Sequence, residues 1–230
     1  MPHPELLARL WPASALRVTS GDLELRWIDD EILVELAELA GRGIHDPADM
    51  PFEHPWSRGT ADEVGRSVLT YQWSARTQVT RDRFALELAV LHDGRPVGIQ
   101  GLTARDWPVL RSVQTGSWLG REHQGRGIGT RMRVMALHLA FDGLGADEAT
   151  SGAFADNPAS NAVSRRVGYQ PDGAVRVARD GVAVAHNRYV MSRERWASLR
   201  SEHAALLGAP VAVTGARSFR TQIEGATTER

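Results

Sequence analysis

The chain has 230 residues, enough for one large domain or two small ones, and a chain of this length buries roughly 70% of its unfolded surface. It holds neither cysteine nor lysine, so all 27 basic residues are arginine; this excludes disulfides, thiolate catalysis, Cys-ligated zinc or iron–sulfur centres, a lysine Schiff base and a Walker-type lysine. A formal charge of −1 argues against a general nucleic-acid binder, which needs a broad basic face.

The start, Met1-Pro2-His3-Pro4-Glu5, lacks a basic segment followed by an apolar core, and no apolar run approaches the roughly 18–20 residues that span a bilayer. The expectation is a soluble cytoplasmic protein without a membrane partner. Leu23, Leu25 and Trp27 alternate with polar residues and predict a first strand. Asp29 and Asp30 cap a helix with Ile32, Leu33, Leu36, Leu39 and Ala40 on one face. A loop rich in His, Pro and aromatic residues runs from Gly41 to Gly59. Thr60 and Glu63 then have capping-box spacing, and Val64, Val68, Tyr71 and Ala75 form the stripe of the next helix.

Phe84–Leu91 and Pro96–Leu102 flank Asp93-Gly94 and predict a hairpin. A loop at Asp106-Trp107-Pro108 leads to a third strand, Ser112–Leu119. A glycine-rich turn opens a helix from about Gly127 to Asp142, and Glu148–Phe154 reads as a strand. Asn157-Pro158 starts a helix that ends before Gly168. Two strands flank Asp180-Gly181, a helix follows over Arg193–Leu207, and residues 208–230 read as a flexible tail. The expected architecture is a single α/β domain over residues 1–207. Its mixed sheet has an antiparallel meander, one parallel crossover around Glu148–Phe154 and helices on both faces. A doubly wound dinucleotide fold is ruled out, because the glycine-rich turn follows a hairpin meander.

That turn, Trp118 to Thr130, joins a strand to a helix N-terminus. Successive N–H groups and the helix dipole make an anion site there, and glycine lets the backbone approach a phosphate. Arg121, Arg126, Arg131 and Arg133 against Glu122 give residues 121–133 a local net of 4 − 1 = +3. G-x-x-x-x-G-K fails for want of lysine, and G-x-G-x-x-G fails at Thr130; Q-x-x-G-x-G fits at Gln124, Gly127 and Gly129.

Gln124-Gly125-Arg126-Gly127-Ile128-Gly129 resembles the acyl-CoA pyrophosphate loop of the GCN5-related N-acetyltransferases. Asn157-Pro158-Ala159-Ser160 and Arg166-Val167-Gly168-Tyr169 resemble that family's next helix and its closing Gly-aromatic pair. The resemblance spans about residues 20–192 and looks closest to the branch acting on ribosomal-protein N-termini. The run His45-Asp46-Pro47, Met50-Pro51-Phe52, Pro55-Trp56 resembles an actinobacterial subgroup described as using succinyl-CoA.

The resemblance implies direct transfer of an acetyl or succinyl group from acyl-CoA, as co-substrate and without a metal, to a primary amine of a small molecule or protein. It implies a splayed parallel strand pair that receives the pantetheine beside Trp118 and Leu119, with the diphosphate on the N–H groups of residues 124–130. The Leu119 N–H would stabilise the oxyanion. It also implies a homodimer, with the C-terminal strands and the Trp196 helix as contact surfaces. Many relatives carry Tyr seven residues after the Asn that starts the helix; here that place is Ser164, the candidate proton donor to the thiolate or a small packing residue. Asn157 is either a contact to the pantetheine arm or a plain N-cap. Arg121 and Arg126 either pair with phosphate or face solvent.

Glu87 interrupts an apolar strand opposite Phe84 and Leu86 and is a candidate base, or a solvent-facing residue. His45, His54, Asp106 and His123 are further candidates. His45, Met50, Phe52, His54 and Trp56, joined by Trp107, are expected to line the acceptor pocket or to form a packed lid. A succinyl carboxylate would need Arg105, Arg111 or His54. The competing reading is an acyl-CoA sensor that retains the loop without the chemistry.

Overall fold

The computed structural model describes residues 3–224. Pro4–Leu10 forms α1, a 3-10 turn spans Pro12–Ala15, and β1 (Arg17–Ser20) pairs with β2 (Leu23–Trp27). Helices α2 (Asp30–Gly41) and α3 (Ala61–Arg76) follow, then β3 (Phe84–His92), β4 (Arg95–Ala104), one helical turn α4 (Trp107–Leu110) and β5 (Ser112–Leu119). Helix α5 (Ile128–Leu137) continues as a π-helical segment to Leu144, and β6 (Glu148–Phe154) and α6 (Pro158–Val167) come next. The chain then forms β7 (Gln170–Arg179), β8 (Val182–Ser192), α7 (Arg193–Ser198), α8 (Arg200–Leu207), β9 (Ala212–Thr214) and α9 (Ala216–Glu224).

Local chemistry sets these boundaries. The Asp29 carboxylate accepts from the Ile32 N–H at 2.9 Å and caps α2. Thr60 and Glu63 close both halves of a capping box on α3. Asn157 caps α6 ahead of Pro158, and Gly168 ends it at φ +94°, a left-handed conformation that glycine adopts without strain.

The strands form one mixed sheet in the order β7-β8-β6-β5-β4-β3-β2-β1-β9. Among the named strands only β5 and β6 run parallel, because α5 carries the chain back across the sheet between them. Strand residues alternate between two cores. Phe84, Leu86, Leu88 and Val90 face α5–α9, whereas Ala89 and Leu91 face α2 and α3. The expected α/β domain with helices on both faces is therefore the observed one.

Three expectations need correction. Tyr71 does not join the buried stripe of α3; it is half exposed, and Gln72 takes a buried place instead. The predicted helix over Arg193–Leu207 breaks at Leu199 into α7 and α8. Residues 212–224 are not a loose tail: β9 extends the sheet beside β1, and Ala216, Phe219 and Ile223 of α9 are buried. Their spacing of three and four residues is helical, but the surrounding Ala, Gly, Thr and Arg hid it. Phe219 packs edge-on to Phe84 at 5.6 Å. Phe219→Ala should cost about 3–5 kcal/mol of unfolding free energy in a urea titration; a change under about 0.5 kcal/mol would show that α9 adds nothing to the core.

Candidate active site

Strands β5 and β6 are in register for four pairs only, Ser112↔Glu148 to Thr115↔Ser151. Beyond them β5 stays with β4 as far as Leu119↔Gly98, while β6 stays with β8 as far as Phe154↔His186. A gap therefore opens between residues 116–119 and 152–154. The Gly120 N–H donates to the Val97 carbonyl at 3.0 Å. By antiparallel alternation, Ser117 and Leu119 then turn their N–H groups away from β4 and toward that gap. The predicted donor at Leu119 thus sits on the lip of the opening.

The glycine-rich turn closes the same end of β5. Gly125 and Gly127 have φ of +73° and +77°, and a Cβ on either would meet nothing within 4 Å. They are needed for backbone conformation, which aims the turn, and the space beside them is open. The first N–H groups of α5, at Ile128, Gly129 and Thr130, have no intrahelical acceptor, and no side chain caps them. That cradle fits a diphosphate. Ile128 contributes through its backbone, because its side chain is buried in the core. Gln124 serves to tether the turn, since its Nε2 donates to the Ile44 carbonyl at 2.7 Å and the Leu119 carbonyl at 2.9 Å.

The cluster of four arginines disperses in three dimensions. Arg131 pairs with Asp22, whose carboxyl it helps to hold at about 2. Arg133 points inward and is buried. Arg121 pairs with Asp46 at 3.4 Å, and Arg126 stays exposed beside the cradle.

On the α2/α3 face, one row crosses the sheet. Glu87 of β3 stands opposite Gly101 of β4, which stands opposite Gly116 of β5. Across the gap, Gly152 of β6 lies under the His186 ring. A Cβ on Gly101 would sit 2.8 Å from a Glu87 carboxylate oxygen, whereas one on Gly116 would enter open space. The glycines leave a shallow trough from Glu87 to the gap. The Tyr71 hydroxyl donates to Glu87 at 2.9 Å. Burial pushes the Glu87 carboxyl up to about 7, against the lowering effect of that hydrogen bond. A carboxyl balanced near neutrality can take a proton from an amine, the role the strand pattern suggested.

The long loop after α2 roofs this trough. His45 is fixed through Nδ1 to the Asp46 carbonyl and Nε2 to the Ser57 hydroxyl, both at 2.7 Å. Phe52 lies 5.9 Å from His45 and 5.0 Å from Trp56, which reaches Trp118 of β5 at 6.0 Å. Arg58 makes a bidentate pair with Asp180, and Arg179 donates to the Met50 carbonyl at 3.0 Å. The loop is thereby pinned to the turn of the β7–β8 hairpin. Met50 is buried and His54 is exposed.

Trp107 does not join them. It is fully buried at the opposite end of β5, 5.3 Å from Phe84, because the β4–β5 connection lies at the far edge. Asp106 and Arg105 share that end, and Arg111 is bound to Glu224 there, so none of these faces the gap. His123 borders the glycine-rich turn beside Glu122, and burial lowers its pKa.

The Asn157 side chain accepts from the Ser160 N–H at 3.0 Å, the plain capping role. Asn161, which sequence reasoning passed over, is buried. Its Nδ2 donates to the Phe154 and Asn157 carbonyls, and its Oδ1 accepts from Asn187 and Tyr189. It holds the end of β6 to α6 and β8, away from β5. Its place four residues after Asn157, one helical turn on, was the available signal. Ser164 is fully buried, with its hydroxyl 3.4 Å from that of Ser151. Among the described residues, no group of three or more His, Asp or Glu is placed to hold a metal, and no helix is long and apolar enough to cross a membrane.

A family model for the acetyltransferase (GNAT) domain matches residues 22–170. A putative ribosomal N-acetyltransferase, YdaF of Bacillus subtilis (strain 168), is 32% identical over 103 residues, which are 45% of this chain and 54% of that protein. The chain thus spans about half the length of that curated relative. Among solved structures, RimJ of Mycobacterium smegmatis in complex with CoA-disulfide superposes with a TM-score of 0.66 at 19% identity, covering 86% of this chain and 96% of that one. A GCN5-related N-acetyltransferase from Brucella melitensis gives 0.66 at 17% identity, covering 89% and 93%.

The raised Glu87 carboxyl has a measurable cost. Between its ordinary 4.5 and about 7 the folded protein keeps a proton that the unfolded chain has released, so stability falls as pH rises through this window. Glu87→Gln should flatten that slope and, above pH 7, exceed the parent by on the order of 3 kcal/mol. Parallel stability–pH curves for the two proteins would refute the assignment.

Proposed function

The chain belongs to the acetyltransferase (GNAT) family, and from that membership we propose that it is an N-acyltransferase, moving an acyl group directly from acyl-CoA to a primary amine within a ternary complex. The observation that carries this reading is the placement of Glu87, pushed up to about 7, at the head of a glycine-floored trough that ends at the opened strands. Gly127 and the free N–H groups of α5 supply the diphosphate cradle at the other end.

In this reading Glu87 takes the proton of the incoming ammonium, directly or through a water, and frees the nitrogen lone pair. The amine attacks the thioester carbon, and the Leu119 N–H meets the oxyanion. Collapse breaks the C–S bond, CoA leaves as its thiolate, and the nitrogen gives its second proton to water to yield the amide. Without cysteine the chain has no thiol of its own to carry the acyl group, which favours direct attack over an acyl-enzyme.

Acetyl is the simplest donor group, and succinyl is the alternative we carry from the aromatic loop around His45–Trp56. The acceptor we propose is a protein N-terminal amine, following the ribosomal N-acetyltransferase named among the relatives. The trough suits an extended backbone, because Gly101 and Gly116 give it a floor without side chains.

A purified full-length protein should release free CoA thiol from acetyl- or succinyl-CoA when given a panel of peptide N-termini and small amines. Glu87→Gln should lower kcat/KM by about 10²–10⁴-fold, and the rising limb of the parent profile near pH 7 should vanish with it. Gly127→Val, forced into φ +77°, should abolish CoA binding measured by calorimetry. CoA binding without thiol release across the whole panel would support the sensor reading and sink the enzyme.

A further inference from the structure

Of the four arginines of the glycine-rich turn and its helix, Arg133 alone is buried. It lies on α5, is 4% exposed, and is aimed at the underside of the sheet. Its Nη1 donates to the Ser151 hydroxyl of β6 at 2.8 Å and its Nη2 to the Ser117 hydroxyl of β5 at 3.1 Å. Its Nε reaches the Gln100 side-chain oxygen at 3.4 Å. These acceptors are all neutral. Among the described residues no carboxylate comes within ion-pair distance of this guanidinium. The remaining titratable group beside it is Tyr169, which donates to or accepts from Thr115 at 3.1 Å and which burial keeps protonated.

A buried cation without an anion is expensive, and an apolar residue of similar size is often at least as stable in its place. The position is equally specific. Ser151 belongs to the last registered β5–β6 pair, and Ser117 lies just past it on β5. The guanidinium therefore straddles the two strands where they part. Through Ser151 it also touches Ser164, the place where many relatives carry a tyrosine.

We propose that Arg133 is the electrostatic counterpart of the leaving group: it receives the CoA thiolate as the C–S bond breaks. The inference rests on the reading that acyl-CoA enters this gap. One ammonium proton ends on Glu87, the second passes from nitrogen to water as the amide forms, and the bond's electron pair goes to sulfur. The sulfur departs as an anion facing Arg133, and solvent later exchanges the two charges, so the step needs no other reactant. A neutral pocket in this place would oppose the charge; a pre-placed guanidinium favours it only as it forms.

The absence of cysteine makes a direct test possible, since the CoA thiol is the sole thiol in the complex. The thiol of CoA bound to the full-length protein is titrated by the ultraviolet absorbance of its thiolate. In the parent it should ionise at least about one pH unit below free CoA, a tenfold shift in its acid constant. Arg133→Met should raise it to the free value or above, because burial alone disfavours the thiolate. Arg133→Lys should keep part of the shift. Arg133→Met should also lower kcat about 10–100-fold for acetyl- and succinyl-CoA alike, with little change in KM for acyl-CoA and no loss of melting temperature. A bound thiol that ionises at or above the free value in the parent overturns the proposal, and that measurement needs no variant to fold. Selective loss of succinyl-CoA turnover with an unchanged thiol titration would also overturn it and assign the guanidinium to the acyl carboxylate. If CoA does not bind the parent at all, the acyltransferase reading itself fails.

Discussion

Everything at the centre of this molecule depends on how far two parallel strands stay together. After the pair Thr115↔Ser151 the chain has hydrogen-bonding partners for β5 only on its β4 side and for β6 only on its β8 side. Each strand keeps its pairing on the outer side, and the backbone groups it turns toward the gap are left without a strand, a state that is costly unless a ligand or water pairs them. Asn161 locks one bank by pinning the end of β6 to α6 and β8. Gln124 locks the other by tying Leu119 to the turn beyond it and to residue 44. The opening is thus a rigid feature of the sheet, edged by N–H groups with no strand to pair with.

Charge is divided between the two faces of the sheet around that opening. The carboxyl of Glu87 lies on the α2/α3 face and is held near neutrality by burial. The guanidinium of Arg133 lies beneath the opposite face among hydroxyls and an amide. Between them the sheet carries glycine at three successive row positions, Gly101, Gly116 and Gly152, where any side chain would fill the trough or strike a neighbour. Both groups cost stability: Glu87 stands at the head of the trough that leads to the gap, and Arg133 spans β5 and β6 where they part. That arrangement is typical of a site where stability is given up for chemistry.

The roof is built from weaker contacts. The aromatic series from His45 to Trp118 covers the trough, and the Arg58–Asp180 ion pair and the hydrogen bond from Arg179 to the Met50 carbonyl fasten it to the β7–β8 turn. An exposed ion pair and a single hydrogen bond contribute little to folding, so this loop is held less firmly than the strands it covers. A cover of that strength can let an acceptor in without disturbing the gap.

Much of this was legible in the linear sequence, and for local reasons. The capping residues Asp29, Thr60 and Asn157, the hairpin at Asp93-Gly94 and the stop at Gly168 act over a few residues, so the elements they bound were readable in order. The glycine-rich turn and the break in apolar pattern at Glu87 were equally visible, because each depends on its own neighbours in the chain. Packing decided the rest. Trp107 and the aromatic residues of the roof have the same character in sequence, yet strand direction sends Trp107 to the far end of β5. The arginines at 121, 126, 131 and 133 form one positive cluster along the chain. Helical geometry turns two of them to Asp22 and to the sheet interior, because side chains two residues apart on a helix point in different directions. Whether a charge faces water, a carboxylate or a cleft between strands is a property of surroundings contributed by distant segments, and only the folded chain brings those segments together.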